Sequence, residues 1–214
     1  MPDTASTPPA WLAALLHGPA ALDAAAQCIE THISWVVLAA GRAYKFKKPL
    51  NLGFLDFSTL AQRRAACLEE LRINRRTAPG IYETVVAVLG PAQAPRLVPL
   101  EALEQGAEVL DYGVQMQRFA DDQLLARQLA AGTLTSAHLD ALAQQVAQFH
   151  TAAAVAPAGS AWGSAALVRQ QVQANFDTLA TVPLPEADRA TLADLQRWTQ
   201  QEGQRLAPLM AQRQ

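Results

Sequence analysis

The order of apolar and polar positions predicts a β-hairpin in the first quarter of the chain. Residues 33–38 are rich in β-branched and aromatic side chains, which favours a strand. Residues 39–42 have the composition of a tight turn, and residues 43–48 then alternate in character. Because strand side chains point alternately to two faces, Lys45 and Lys47 should share one face, with the neighbouring aromatic rings on the other.

A long helix and three more strands follow this hairpin. Ser58 is a good N-cap and an apolar stripe continues beyond it, so we predict a helix over 58–77. Residues 81–89 are predicted to form a strand, and a Pro- and Gly-rich turn joins it to a hairpin partner over 96–100. An alternating pattern predicts a further strand over 108–119. We expect these strands to form an antiparallel sheet that packs with the long helix.

Helical periodicity dominates the rest of the chain. A short helix is predicted over 9–16, and four more are predicted over 121–131, 136–154, 165–180 and 185–212. Strands and helices are therefore segregated along the chain, which is typical of the α+β class. We expect two lobes, a strand-rich one with one long helix over 1–119 and an all-helical one over 120–214.

Composition excludes several classes of protein. The 214 residues are 50% hydrophobic and 17% charged, which suits a chain with a sizeable core rather than a disordered one. A net charge of −2 argues against nucleic-acid binding, and no apolar run reaches the length of a membrane span. The first residues lack the basic segment of a secretory signal. We expect a cytoplasmic protein with no nucleic-acid or membrane partner.

Lysine usage draws attention to one strand. The chain has 14 arginines but only three lysines, which are Lys45, Lys47 and Lys48. A lysine ammonium is a compact, strongly hydrated point charge, so arginine does not replace it where such a charge is required. The cluster therefore indicates a site that needs an ammonium group. The alternative is chance clustering on an exposed strand.

The predicted long helix offers a carboxylate partner for this strand. A strand lysine that contacts nucleotide phosphates is commonly held by a helix glutamate. Glu69 has Arg72 three residues later, so a local surface pair accounts for it. Glu70 has no basic residue three or four positions away, which makes it the better long-range partner. The alternative is that both acids are solvated on an exposed face.

Other motifs carry little functional information. The chain contains neither a dinucleotide-binding glycine fingerprint nor a P-loop. Residues 138–140 begin like a catalytic H-x-D motif but have helical periodicity, and residues 111–113 resemble a metal-binding D-F-G but fall in a predicted strand. His150 suits a helix C-terminus, whereas His32 is explained equally well by a ligand or a local hydrogen bond. Four histidines and two cysteines show no metal-ligand spacing.

Several segments nevertheless resemble the N-terminal region of the bacterial aminoglycoside-phosphotransferase-like proteins, in which a kinase-like domain is often fused to a C-terminal P-loop ATPase domain. The resemblance covers roughly residues 27–180, and its most specific segments are ETHISWV, YKFKKP, LGFLDFSTL and ELRINRR. It implies a protein-kinase-like fold, in which residues 1–119 form a mixed N-lobe, residues 120–214 form an incomplete helical C-lobe, and ATP binds between the two lobes. It also implies a small-molecule phosphoryl acceptor, whose identity the sequence does not indicate.

The resemblance also implies roles for particular residues. Lys45 would contact the phosphates, Glu70 would hold Lys45, and Thr31 and Ser34 would lie in the segment that covers the phosphates. Four consecutive residues would form the hinge that contacts adenine: Met116, Gln117, Arg118 and Phe119.

The sequence departs from that family in one respect. The family's H-G-D-L-H-x-x-N catalytic loop and metal-binding acid would follow the last helix, and neither motif occurs in the chain. We therefore expect the ATP-binding portion of such a kinase, with Mg²⁺ held only when the catalytic part is present. The alternative is a non-catalytic regulatory or interaction module on the same scaffold. In either case a partner chain or a further C-terminal part should cover the helical lobe.

Overall fold

The computed structural model describes residues 7–18, 20–157 and 159–214. They form two compact units, of which the first ends at Thr151 and the second begins at Ala152. The strands are β1 (Gln27–Glu30), β2 (Ser34–Ala39), β3 (Arg42–Lys47), β4 (Tyr82–Leu89), β5 (Arg96–Pro99) and β6 (Val109–Gln117). The α-helices are α1 (Ala10–His17), α2 (Leu60–Asn74), α3 (Leu125–Ala130), α4 (Ser136–Ala152), α5 (Ala165–Ala180) and α6 (Glu186–Arg213).

The strands form a single sheet in the order β1-β2-β3-β6-β4-β5, and every neighbouring pair is antiparallel. The α+β class predicted from the segregated pattern is confirmed, with six strands and six α-helices in the part of the chain that the structure describes. The order places β3 and β6 side by side at the centre of the sheet. Residues of these two strands are therefore covered on both edges by neighbours.

Helices α1 and α2 cover opposite faces of this sheet. On one face, Trp11 of α1 packs edge-to-face on Phe46 of β3, with ring centroids 4.9 Å apart. On the other face, Cys67 of α2 is buried in a cluster with Val85 and Val114. Lys45 and Val114 lie opposite each other in the sheet, whereas Phe46 lies opposite Gly113. The predicted division of β3 into a lysine face and an aromatic face is thus confirmed.

A glycine at the centre of β6 allows the Phe46 ring to lie on the backbone. A Cβ atom added to Gly113 would come within 2.5 Å of that ring, closer than real side-chain contacts allow. Overpacking of this kind in a core is destabilising. The glycine of the Asp111-Tyr112-Gly113 sequence therefore has a packing role.

The ends of α2 differ from the prediction of a helix over 58–77. Its N-cap is Thr59, which accepts the backbone N–H of Gln62, while the Gln62 side chain accepts the backbone N–H of Thr59. Ser58 is not the cap, because its own N–H is held by the Asp56 carboxylate. At the other end the helix gives way to turns after Asn74.

The remaining differences concern the edges of elements. β1 was not predicted as a separate strand; its residues are exposed and it pairs only with β2. Residues 121–123 form a 3₁₀ turn, so α3 begins at Leu125 rather than at 121. The predicted division into lobes over 1–119 and 120–214 stays a prediction. The last strand ends at Gln117, but the first compact unit continues to Thr151.

Two further observations bear on the expected class of protein. Among the described residues, no helix is both long enough and apolar enough to cross a membrane. The cysteines are both free: Cys28 is exposed on β1, and Cys67 is buried on α2 with its thiol 3.7 Å from the carbonyl oxygen of Tyr112. Burial raises the pKa of the Cys67 thiol to about 12.

Candidate functional site

Two lysines of β3 converge on one carboxylate of α2. Lys45 Nζ donates a hydrogen bond to Glu70 Oε1 at 2.8 Å, and Lys47 Nζ bonds to Glu70 Oε2. The structure therefore brings together Lys45 and Glu70, the pair singled out by the sequence. It adds Lys47, which the sequence had placed on the same face without assigning it a role.

Local structure explains why these three side chains meet. Lys45 and Lys47 are two residues apart on a strand, so both point to the face that α2 covers. Glu70 lies one helical turn after Cys67, which is the buried contact of α2 with the sheet. Because Cys67 packs on the sheet, Glu70 on the next turn of the helix lies beside the C-terminal end of β3.

The three groups differ in their exposure to solvent. The exposed fraction of the side chain is 30% for Lys45, 6% for Lys47 and 11% for Glu70. Lys47 is further enclosed by the Phe57 ring, whose centroid lies 5.4 Å from its ammonium. Lys45 is therefore the ammonium of this cluster that a ligand in solvent can reach.

The charges of this cluster do not cancel. Two ammonium groups share one carboxylate, which leaves one net positive charge. Burial raises the pKa of the Glu70 carboxyl, but the hydrogen bonds from Lys45 and Lys47 outweigh burial, and the pKa is lowered from its ordinary value. Glu70 is therefore ionised at neutral pH. We call Lys45, Lys47 and Glu70 the lysine–glutamate cluster.

Neighbouring charged residues make separate pairs. Glu69 forms the local pair with Arg72 that the spacing predicted, and both side chains are exposed. The third lysine, Lys48, does not join the cluster; it bonds to Glu30 at 2.6 Å and lies over the Trp35 ring. The lysines are thus not on an exposed strand, because all three are in ion pairs and two of them are buried.

Thr31 and Ser34 form the turn between β1 and β2. Thr31 Oγ1 accepts the N–H of Ser34 at 2.9 Å, and the Thr31 N–H bonds to the carbonyl of Ser34 at 2.8 Å. Ser34 lies opposite Lys47 in the sheet, so its side chain is on the face of the cluster. Its hydroxyl is fully buried without a hydrogen-bond partner among the described residues. The turn is therefore close to the cluster; Ser34 is buried, Thr31 is half-buried, and His32 between them is exposed.

The four predicted hinge residues continue β6 past the cluster. Met116 lies opposite Ala43 on one side and Tyr82 on the other, on the face covered by α2. The backbone N–H of Gln117 bonds to Ile81, and that of Arg118 bonds to Gly41. These two N–H groups are engaged within the sheet, and the Phe119 ring is exposed.

The motifs set aside in the sequence have structural roles. Asp111 accepts a hydrogen bond from Arg63 of α2 at 2.7 Å, and both side chains are buried. Arg63 also donates to the carbonyl oxygen of Phe57, which ties the loop before α2 to the sheet. His138 accepts the backbone N–H of Thr135 at the start of α4. Neither motif lies in an arrangement that resembles a catalytic loop.

Tyr82 is a member of this region that sequence reasoning missed. Burial raises the pKa of the Tyr82 hydroxyl, and the negative charge of Glu70 raises it further. The sequence offered one indication of Tyr82, namely its position near the start of the predicted strand over 81–89. That signal does not fix which face Tyr82 occupies, because a bulge between Tyr82 and Thr84 shifts the register.

No metal site is visible among the described residues, since none of their His, Cys, Asp and Glu side chains form a group of three or more that could hold an ion. The charged groups near the cluster suit an anion instead. A partly exposed ammonium in a fixed position and a surplus positive charge are the features that bind phosphate oxygens.

Comparison with known proteins gives relatives but no family. Uncharacterized proteins of Mycobacterium bovis and of two Mycobacterium tuberculosis strains are each 37% identical to the chain over 121 residues. The match covers 56% of this chain and 22% of each relative, so it spans about a fifth of their length. No family model matches the chain, and no solved structure matches it.

Proposed function

We propose that the chain is the ATP-binding portion of an aminoglycoside-phosphotransferase-like small-molecule kinase, with Lys45 as the ammonium that contacts the phosphates. The observation that carries this proposal is the lysine–glutamate cluster, in which the most exposed ammonium is held by a helix carboxylate. A strand lysine fixed by a helix glutamate is the device by which kinases orient nucleotide phosphates.

The surface beside Lys45 supports a nucleotide rather than a simple anion. Val36 lies directly opposite Lys45, and Ala43 is two residues before it, so all three share one face of the sheet. Met116 lies opposite Ala43 on the same face. Ala43 is buried, so the half-buried Val36 and Met116 form the accessible apolar surface next to the partly exposed Lys45 ammonium. Such a surface suits a ligand with a flat apolar base at one end and charged phosphates at the other.

Phosphoryl transfer by the whole protein is part of the same proposal. Transfer needs a positioned Mg²⁺ and a catalytic acid or base, and we assign neither to the described residues. The phosphoryl acceptor in this proposal is a small molecule. The relatives are longer than the region they share with this chain, so their remaining length is where we would seek those groups.

Titration calorimetry with Mg-ATP tests the proposal on the full chain. We expect binding by the wild type and at least about tenfold weaker binding by Lys45→Met, because one charge–phosphate contact is lost. Arg42→Met is the matched control, since it removes an exposed cation from the same strand that pairs with Glu83. Glu69→Gln and Glu70→Gln form a second matched pair on α2, and only Glu70→Gln should change the affinity.

The contrary result is equally clear. If the folded wild type binds no ATP, or if Lys45→Met and Arg42→Met weaken binding equally, the kinase proposal is wrong. The second candidate function, a non-catalytic interaction module, would then be the better supported of the two. It is favoured by the apolar side chains that α6 exposes, among them Leu195 and Trp198.

A further inference from the structure

We propose that His32, at the tip of the turn between β1 and β2, binds the terminal phosphate of a polyphosphate ligand through its imidazole ring. The inference rests on the proposed function, since it adds a second contact for the same ligand, and it assigns a role to a residue outside the lysine–glutamate cluster. Its basis is a turn whose other hydrogen-bonding groups are engaged or buried and which is fixed to β3.

The turn uses most of its own hydrogen-bonding groups internally. Thr31 Oγ1 accepts the N–H groups of Ile33 and Ser34, at 3.4 and 2.9 Å, and donates to the carbonyl oxygen of Ser34 at 3.1 Å. The Thr31 N–H bonds to that same oxygen at 2.8 Å, and the Ser34 hydroxyl is buried. A glycine-rich loop binds phosphates through a row of free backbone N–H groups. This turn has no such row, because three of its N–H groups are engaged.

His32 is the residue that this turn presents to solvent. Its side chain is exposed, whereas the side chains of Thr31 and Ile33 on either side are half-buried. Within the described part of the chain, the His32 ring has no hydrogen-bond partner, so a local hydrogen bond does not account for it. An imidazole ring carries at least one N–H donor whether it is neutral or charged. A donor on a turn that is already ordered also loses little freedom when a ligand binds.

The sheet places this turn near Lys45. Lys45 lies opposite Val36 on β2, and the N–H of Lys48 donates to the carbonyl oxygen of Ile33 at 2.9 Å, which fixes the turn to the end of β3. At about 3.3 Å per residue, the chain from Val36 to His32 spans at most about 13 Å. A row of phosphates that begins at Lys45 can therefore extend toward His32, whereas a single phosphate stays at Lys45.

The charges around the turn favour an anion in this space. Glu30, two residues before His32, is paired with Lys48 at 2.6 Å, so its negative charge is compensated. The lysine–glutamate cluster on the other side carries one surplus positive charge. A polyphosphate between the cluster and the turn would therefore be attracted by the surplus charge and would not meet an uncompensated carboxylate of β1.

The first test compares ligands with different numbers of phosphates. Calorimetry measures the affinities of adenosine, AMP, ATP and inorganic tripolyphosphate for the wild type, His32→Ala and His32→Lys. We expect His32→Ala to weaken ATP and tripolyphosphate binding about tenfold, because a hydrogen bond to a charged group is lost. The affinities for adenosine and AMP should not change. His32→Lys keeps a donor at the tip of the turn and should recover most of the loss.

His17→Ala is the matched control. It removes another exposed imidazole, but from the end of α1, which covers the opposite face of the sheet. We expect it to leave all four affinities unchanged. Thermal unfolding of each variant shows whether it is folded.

The second test observes the wild type directly. The chain has four histidines, and the ring C–H signal that disappears from the NMR spectrum of a folded His32 variant identifies His32. We expect ATP and tripolyphosphate to shift the His32 signal and to leave the His17 signal in place, whereas adenosine should shift neither. Because the ligands are added to the wild type, this result does not depend on how far a substitution alters stability.

The outcomes separate this inference from the proposed function. If the wild type binds ATP while His32→Ala binds it equally well and the His32 signal does not move, the role of His32 is refuted and ATP binding stands. Equal losses for adenosine and ATP would show a merely structural effect and also refute it. If tripolyphosphate binds in a His32-dependent manner without any preference for ATP, the nucleotide proposal fails and the phosphate contact stands. If the wild type binds neither ligand, both proposals are wrong.

Discussion

The sheet-bearing part of the chain and the helices after it are held together differently. Among the described residues, every buried side chain lies between Trp11 and Val114, and α4, α5 and α6 contain none. The sheet is covered by a helix on each face and so has a core on both sides. We therefore expect substitutions in the sheet region to lower the free energy of unfolding far more than substitutions in α4, α5 and α6. Matched pairs of substitutions, one in each region, test this.

Ion pairs should give the largest contrast. Asp111→Ala leaves the buried Arg63 without its carboxylate, and we expect it to lower the free energy of unfolding by about 3–5 kcal/mol. Asp194→Ala removes the partner of Arg197 on exposed α6 and should change it little. Urea unfolding followed by circular dichroism measures both. Equal effects would contradict the contrast.

Core leucines should give the next largest contrast. Leu15 of α1 is 0% exposed, whereas Leu195 of α6 is 52% exposed. Leu15→Ala should therefore cost about 2–5 kcal/mol through lost burial and a cavity. Leu195→Ala should cost about 0.5 kcal/mol or less. Hydrogen exchange resolved by segment shows which unit each substitution weakens. Strong destabilisation by Leu195→Ala would contradict the contrast, because it would mean that Leu195 is packed in a core.

The effect of low pH on ion pairs should give the smallest contrast between the sheet region and α6. The pKa of Glu70 is lowered in the folded state from an ordinary 4.5, so its ion pairs stabilise the fold above that value. This stabilisation is lost as pH falls below about 4.5 through the folded pKa. The stability difference between wild type and Glu70→Gln should therefore shrink with acid. Glu202→Gln, at an α6 glutamate whose partner Arg205 is exposed, should show a weaker pH dependence of the same sign. Thermal unfolding between pH 3 and 7 measures both, and a constant Glu70 difference would argue against the ion pairs.

Much of the sheet region could be predicted, because β2 and β4 are rich in β-branched residues, β3 alternates in character, and α2 carries leucines that pack on the sheet. The Lys45–Glu70 contact was also predictable, since Glu70 has no local basic partner while Glu69 does. The role of this contact in nucleotide binding is our proposal and stays a prediction.

The features that the sequence did not predict depend on tertiary structure. Ser58 and Thr59 are both good N-caps, and the choice is made by Asp56, which engages the Ser58 N–H. β1 has no apolar alternation and is a strand because β2 pairs with it. The Arg63–Asp111 pair joins residues that are 48 positions apart in the sequence. The contact between Lys47 and Glu70 depends on where α2 packs along β3, which the sequence does not give.

The two thiols have a practical consequence for following ligands at this site. Cys67 is enclosed and weakly acidic, so a maleimide or iodoacetamide dye would attach at Cys28 on the unprotected β1 edge. Cys28 is three residues from Thr31, which begins the turn beside the cluster. Cys28 lies opposite Val37, on the face of the sheet that α1 covers, so a dye attached there would label the natural chain at a single point and leave the lysine–glutamate cluster free for a ligand.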